Sequence, residues 1–100
     1  PDIATSLNNL AALYCGQRRY EEAEPMYVEA LAMRRRALPE GHPDIASTLW
    51  NLTSLYETMK QYEKALPMVE EAHAIWLAAH GPEHEHTRAT QQARSRNCGN

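Results

Sequence analysis

The chain is 100 residues long, 43% hydrophobic and 23% charged, with a formal net charge of −3 and an isoelectric point near 5.9. That acidic balance argues against polyanionic partners, so neither nucleic acid nor a membrane surface is expected. No apolar run approaches the roughly 18 residues that span a bilayer. Cys15 and Cys98 are far apart and read as free thiols of a reducing compartment, so a soluble, cytoplasmic chain is expected. Its opening at Pro1, without a methionine, reads as an excerpt of a longer protein.

The first apolar stripe is Ile3, Leu7, Leu10, Leu13 and Tyr14, at helical intervals of three and four, behind Pro1 and Asp2, which suit a helix start. A polar turn at Gly16 to Arg19 follows. A second helix then begins at Tyr20, its buried face expected to carry Tyr20, Ala23, Tyr27, Ala30 and Leu31, with Pro25 early enough to be tolerated. Pro39 and Gly41 end it near Leu38.

From Pro43 the whole pattern returns. Residues 43–84 match residues 1–42 at nineteen of forty-two positions, so one structural unit is used twice. Ile45, Leu49, Leu52, Leu55 and Tyr56 form the new stripe. The turn falls at Thr58 to Gln61, and Tyr62, Ala65, Val69 and Ala72 form the second buried face, with Pro67 early in that helix. The helix ends near His80, where Gly81 suits a left-handed cap ahead of Pro82. A third opening, EHTRATQQARSR, has Gln91 and Arg94 where the units have leucine, so it reads as a polar cap whose apolar face is only Ala89 and Ala93. Residues 97–100 are expected to fray. The fold class is all-α.

These residues resemble the tetratricopeptide repeat, a helix-turn-helix unit with large residues at its fourth, seventh and eleventh positions and small ones between. Leu7, Leu10, Ala11, Tyr14, Ala23, Tyr27 and Ala30 occupy those places, and Leu49, Leu52, Thr53, Tyr56, Ala65, Val69 and Ala72 repeat them with departures at Thr53 and Val69. The 42-residue length, with HPDIA, LNNLA and YEEAEPMY segments, is similar to the kinesin light chain subfamily. The resemblance implies an α-solenoid of two antiparallel helical hairpins plus a C-terminal capping helix. It would form one array over residues 1–96, divided as 1–42, 43–84 and 85–96. It also implies a protein-interaction module whose first helices line a concave groove for a peptide or partner segment.

Carried over position by position, that groove would be lined by Thr5, Asn8, Asn9, Ala12, Cys15 and Gly16, then Ser47, Trp50, Asn51, Ser54, Glu57 and Thr58, with Ala89, Gln92 and Arg96 from the cap. Asn9 and Asn51 match an asparagine that holds ligand backbone in the family, a carboxamide being able to donate and accept at once; the alternative is hydrogen bonding between adjacent helices. Trp50, opposite Asn8 in the first unit, is either a contact residue on an open face or a ring folded over a neighbouring helix. Trp76 is expected against the cap helix. Arg34, Arg35 and Arg36 read as a solvated face. His80, His84 and His86 are expected to be scattered by the helix end at Gly81, so no metal, cofactor or catalytic site is expected, and no enzyme. The rival reading is a structural unit that dimerises or swaps hairpins through its uncovered stacking ends.

Overall fold

In the computed structural model, residues 3–97 are described and fold into five helices: α1 (Ile3–Gly16), α2 (Tyr20–Ala37), α3 (Pro43–Thr58), α4 (Tyr62–His80) and α5 (Glu85–Asn97). No strand occurs among the described residues. Successive helices pack on one another, as α1 on α2, α2 on α3, α3 on α4 and α4 on α5. None of these helices is long and apolar enough to cross a membrane.

The helix ends follow the local chemistry. His42 caps α3 by accepting the Asp44 N–H on Nδ1 at 3.0 Å, with Pro43 as the first helical residue. His84 repeats the bond to the N–H of His86 at 3.1 Å. At both sites an imidazole nitrogen does the work usually given to a serine or aspartate side chain. Leu38, restricted by Pro39 to extended backbone, closes α2. Gly81 has the expected positive φ of 87°, but its ψ of 170° belongs to the extended, glycine-only region instead of the left-handed helical one. Pro25 and Pro67 lie inside continuous helices.

Each hairpin turns through an equivalent basic residue in left-handed conformation, Arg18 at φ 62° and Lys60 at φ 61°. The chain must reverse within three residues between α1 and α2, and again between α3 and α4, which forces one positive φ even without glycine.

The core is centred on the second unit. Ala23, Ala30, Ala65 and Ala72 are fully buried, as the close helix approach demands. Thr53 takes the place of Ala11 at the same depth and satisfies its hydroxyl by donating to the Leu49 carbonyl at 2.8 Å. Tyr56 donates to Glu24 at 2.9 Å, and Arg35 grips Glu71 through two bonds of 2.7 and 2.8 Å, tying α2 to α3 and α4.

The first unit departs from expectation. Ile45, Leu52 and Leu55 are at most 3% exposed, whereas their counterparts Ile3, Leu10 and Leu13 are 65%, 40% and 56% exposed. The side chains are the same; α2 covers the stripe on α3, and no described residue covers the stripe on α1. Tyr62 is likewise exposed, although its counterpart Tyr20 packs against the core. On α5 the inward face is Thr87, Thr90, Ala93 and Asn97, so Ala89 is only half-buried and Asn97 is held instead of frayed. Its amide donates to Glu57 and to the Ala93 carbonyl. The remainder of the expected tail lies outside the described residues, as do Pro1 and Asp2.

Two outcomes follow for stability. In dilute protein, Leu52→Ala lowers the unfolding free energy by about 2–5 kcal/mol while Leu10→Ala at the equivalent position costs under about 1 kcal/mol, measured by urea denaturation. Lys60→Gly raises stability by about 0.5–1 kcal/mol, because glycine removes the left-handed strain for a smaller entropic cost; an unchanged or lower urea midpoint would contradict this.

Candidate functional site

Along α1, Thr5, Asn9, Ala12 and Gly16 share one exposed face, distinct from the inward face of Ala4, Asn8 and Ala11. On α3 the matching face carries Ser47, Asn51, Ser54 and Thr58. Between the two helices lies a cleft of about 160 Å³ lined by Ala12 and Cys15 from α1, Asn51, Ser54, Leu55 and Thr58 from α3, and Tyr20 and Tyr27 from α2. Its floor is apolar and its rim offers an amide and two hydroxyls.

The cleft lining carries no formal charge at neutral pH. Burial pushes the Tyr27 hydroxyl up to about 12, with the neighbouring Cys15 sulfur adding to the effect. Burial also raises the Cys15 thiol, which its contact with Tyr27 only partly offsets. A thiol held neutral in this way packs and hydrogen-bonds; it is a poor nucleophile.

Six expected groove residues meet at this cleft or beside it: Ala12, Cys15, Asn51, Ser54 and Thr58 in its lining, and Asn9 exposed one turn from Ala12. Asn8 does not. It is 8% exposed and its amide donates to Thr48 Oγ1 at 3.2 Å, because position 8 turns towards the α1/α3 contact. Thr5 accepts from Arg34 at 3.1 Å, and the Ser47 hydroxyl donates back to the Pro43 carbonyl. Gln92 faces a separate depression with His73, Leu77, Thr87, Arg88 and Gln91, walled by α4 and α5. Arg96 pairs with Glu57 at 3.2 Å and thereby ties α5 to α3.

Trp50 is half-buried against the core, with its ring centroid 6.2 Å from that of Trp76. Trp76 is buried and stacked on His86 of the cap helix at 4.6 Å. In the first unit the counterparts of the two tryptophans are Asn8 and Arg34, which meet at Thr48: Arg34 donates to its hydroxyl at 3.0 Å and to the Asp44 carbonyl at 2.9 Å. One junction between successive units is thus built twice, once polar and once aromatic. That both members changed together was the available signal that they share one junction.

The histidines also depart from expectation. The rings of His80 and His84 stack at 4.2 Å and that of His86 lies 5.1 Å from His84, so they gather instead of scattering. Gathered by stacking, they present faces to one another; among the described residues no group of three His, Cys, Asp or Glu could hold a metal ion.

The tetratricopeptide repeat family model matches residues 2–75, and the chain belongs to that family. No curated protein matches it in sequence. Among solved structures, the nearly identical, kinesin-light-chain-type TPR-like repeats of Podosopora anserina superpose with a TM-score of 0.80 at 24% identity, over 93% of this chain and 44% of that one. The chain therefore has the fold of such repeats and spans less than half of that structure's length.

Because Trp50 packs against Trp76, Trp50→Ala lowers stability by about 2 kcal/mol, read by urea denaturation. Of the two readings of Trp50, a contact residue on an open face would leave stability unchanged, and a ring folded over a neighbouring helix would not.

Proposed function

We propose that the chain is a protein-interaction module that seats an extended peptide or partner segment along the face shared by α1 and α3. Tetratricopeptide repeats generally serve as protein-interaction modules, which gives the class. The observation that supports the location is the cleft of about 160 Å³ between the helices, with its apolar floor and its rim of Asn51, Ser54 and Thr58. At that size it is too small for a drug-sized molecule, whose sites run to about 300–1,000 Å³, and suits a single anchoring side chain. Asn9 and Asn51 can each donate to and accept from the peptide backbone on either side of the anchor, and that pairing fixes the segment's direction. An uncharged lining selects an apolar anchor, since a charged one would lose its hydration without a partner.

Binding here is surface complementarity, with no bond made or broken. Trp50 contributes as a wall that holds the α3 face in place, and the Glu57–Arg96 pair bounds the face on the α5 side.

The test uses the 100-residue chain and peptides selected on it from a random library. Ser54→Arg, which fills the cleft from an exposed position, is expected to weaken the selected peptides at least about tenfold by titration calorimetry with an unchanged melting temperature, about 1.4 kcal/mol of binding. Asn51→Ala should weaken them less. Equal affinity for wild type and Ser54→Arg would remove the cleft as the site.

A further inference from the structure

Four of the chain's five histidines gather where α5 meets α4. His80 closes α4, His84 caps α5, His86 lies in the first turn of α5, and His73 on α4 places its Nδ1 3.0 Å from the Thr90 hydroxyl of α5. The rings form a column: His80 on His84 at 4.2 Å, His84 beside His86 at 5.1 Å, and His86 on Trp76 at 4.6 Å. The cluster thus lies between two described helices and not on an open end of the stack.

The equivalent junction of the first unit has a different chemistry. His42 caps α3 with the same Nδ1 contact, but two residues further on stands Asp44, whose carboxylate lies 3.9 Å from the ring, and the counterpart of His80 is Leu38. A proton taken up by His42 therefore meets a carboxylate. One taken up by His84 meets two further imidazoles, because His86 stands in the place of Asp44 and His80 in the place of Leu38. Among the described residues no carboxylate pairs with His80, His84 or His86. The charges on the surrounding elements are Glu83 in the turn, Glu85, Arg88 and Arg94 on α5, and Asp44 and Glu57 on α3, the last paired with Arg96. On α4 the nearest acid in sequence is Glu71, which Arg35 holds.

We propose that this junction is a proton-sensitive latch: protonating His84 undoes the cap of α5 and loosens α5 from α4, while the α2/α3 junction stays closed. A ring nitrogen that accepts the His86 N–H cannot also carry a proton, so the bond at 3.1 Å is lost when the ring charges. The new charge then sits at the N-terminal end of α5, where the helix dipole opposes it, among rings that charge over the same range. Stacking on Trp76 favours a charged His86 through cation–π attraction, so the capping ring carries the switch. His73 acts in the same direction. Burial holds it below the ordinary imidazole value and Arg94 of α5 adds to this, so the docked state takes up a proton there less readily than the released one. That share of docking is present above about pH 6.5 and drains as the pH falls below it. Opening also frees Glu57, which Arg96 and Asn97 of α5 hold at the edge of the peptide face.

The latch is read without a ligand, so it fails separately from the peptide reading. Hydrogen exchange by mass spectrometry on the 100-residue chain, corrected for the intrinsic rate, should show α5 amides losing protection at least about fivefold between about pH 7.5 and about pH 5.5 while those of α3 hold theirs. Tryptophan emission should move to longer wavelengths over the same range, since Trp76 leaves its stack on His86. His84→Asn, a capping side chain that does not titrate, should keep α5 protected at both pH values apart from the share of His73. His42→Asn should leave the response of α5 unchanged. Protection of α5 that is equal at both pH values, a loss shared equally by α3, or a response undiminished in His84→Asn would overturn the proposal.

Discussion

The structure depends on one constraint: a hairpin of this kind cannot close its own core. The first helix of each unit has an inward face towards its hairpin partner and an outer face that only the preceding unit can cover. In the second unit α2 supplies that cover, and Ile45, Leu49, Leu52 and Leu55 are each at most 3% exposed. Burying a leucine contributes about 1.5–3 kcal/mol, so four such residues carry a large share of the driving force for folding. In the first unit the same sequence delivers little of this, because no described residue covers its outer face.

That dependence explains why the junctions between units are varied with care. The α1/α2/α3 junction is a hydrogen-bonded cluster of Asn8, Arg34, Thr5 and Thr48, and the α3/α4/α5 junction is two tryptophans and a histidine. A polar cluster and an aromatic stack fill the same space by different means, so exchanging only one member would leave a buried donor unpaired or a void. The cap helix follows the same logic with modest material. Thr87, Thr90, Ala93 and Asn97 are small enough to lie flush on α4, and the Glu57 carboxylate secures the end of the helix through Asn97 and Arg96.

The candidate site is a by-product of this stacking. First helices set side by side leave a shallow cleft between them, and the second helix of the hairpin closes it from below with Tyr20 and Tyr27. Burial keeps the floor neutral by raising both the tyrosine hydroxyl and the cysteine thiol. On the proposed reading, recognition at such a face rests on shape and backbone hydrogen bonds. Position 8 shows how narrow the geometry is: one residue before Asn9 on the same helix, Asn8 is turned through about 100° and is consumed by the fold.

The sequence by itself determined the helices, the turns between them and the order of stacking, because those follow from local periodicity, proline and glycine placement and the 42-residue repeat. The resemblance to the repeat family, carried over by position, also put Asn9, Ala12, Asn51 and Ser54 on one face, together with Asn8 and Trp50, which the structure turns into the junctions instead. What a side chain meets in that direction was decided only by tertiary structure. Leu10 and Leu52 are the same residue in the same local pattern, yet one is exposed and the other buried, because burial depends on the neighbouring unit and not on the helix that carries it. For the same reason Trp50 proved to be part of a junction and His80, His84 and His86 came together: their partners lie on other helices, beyond the reach of any local rule.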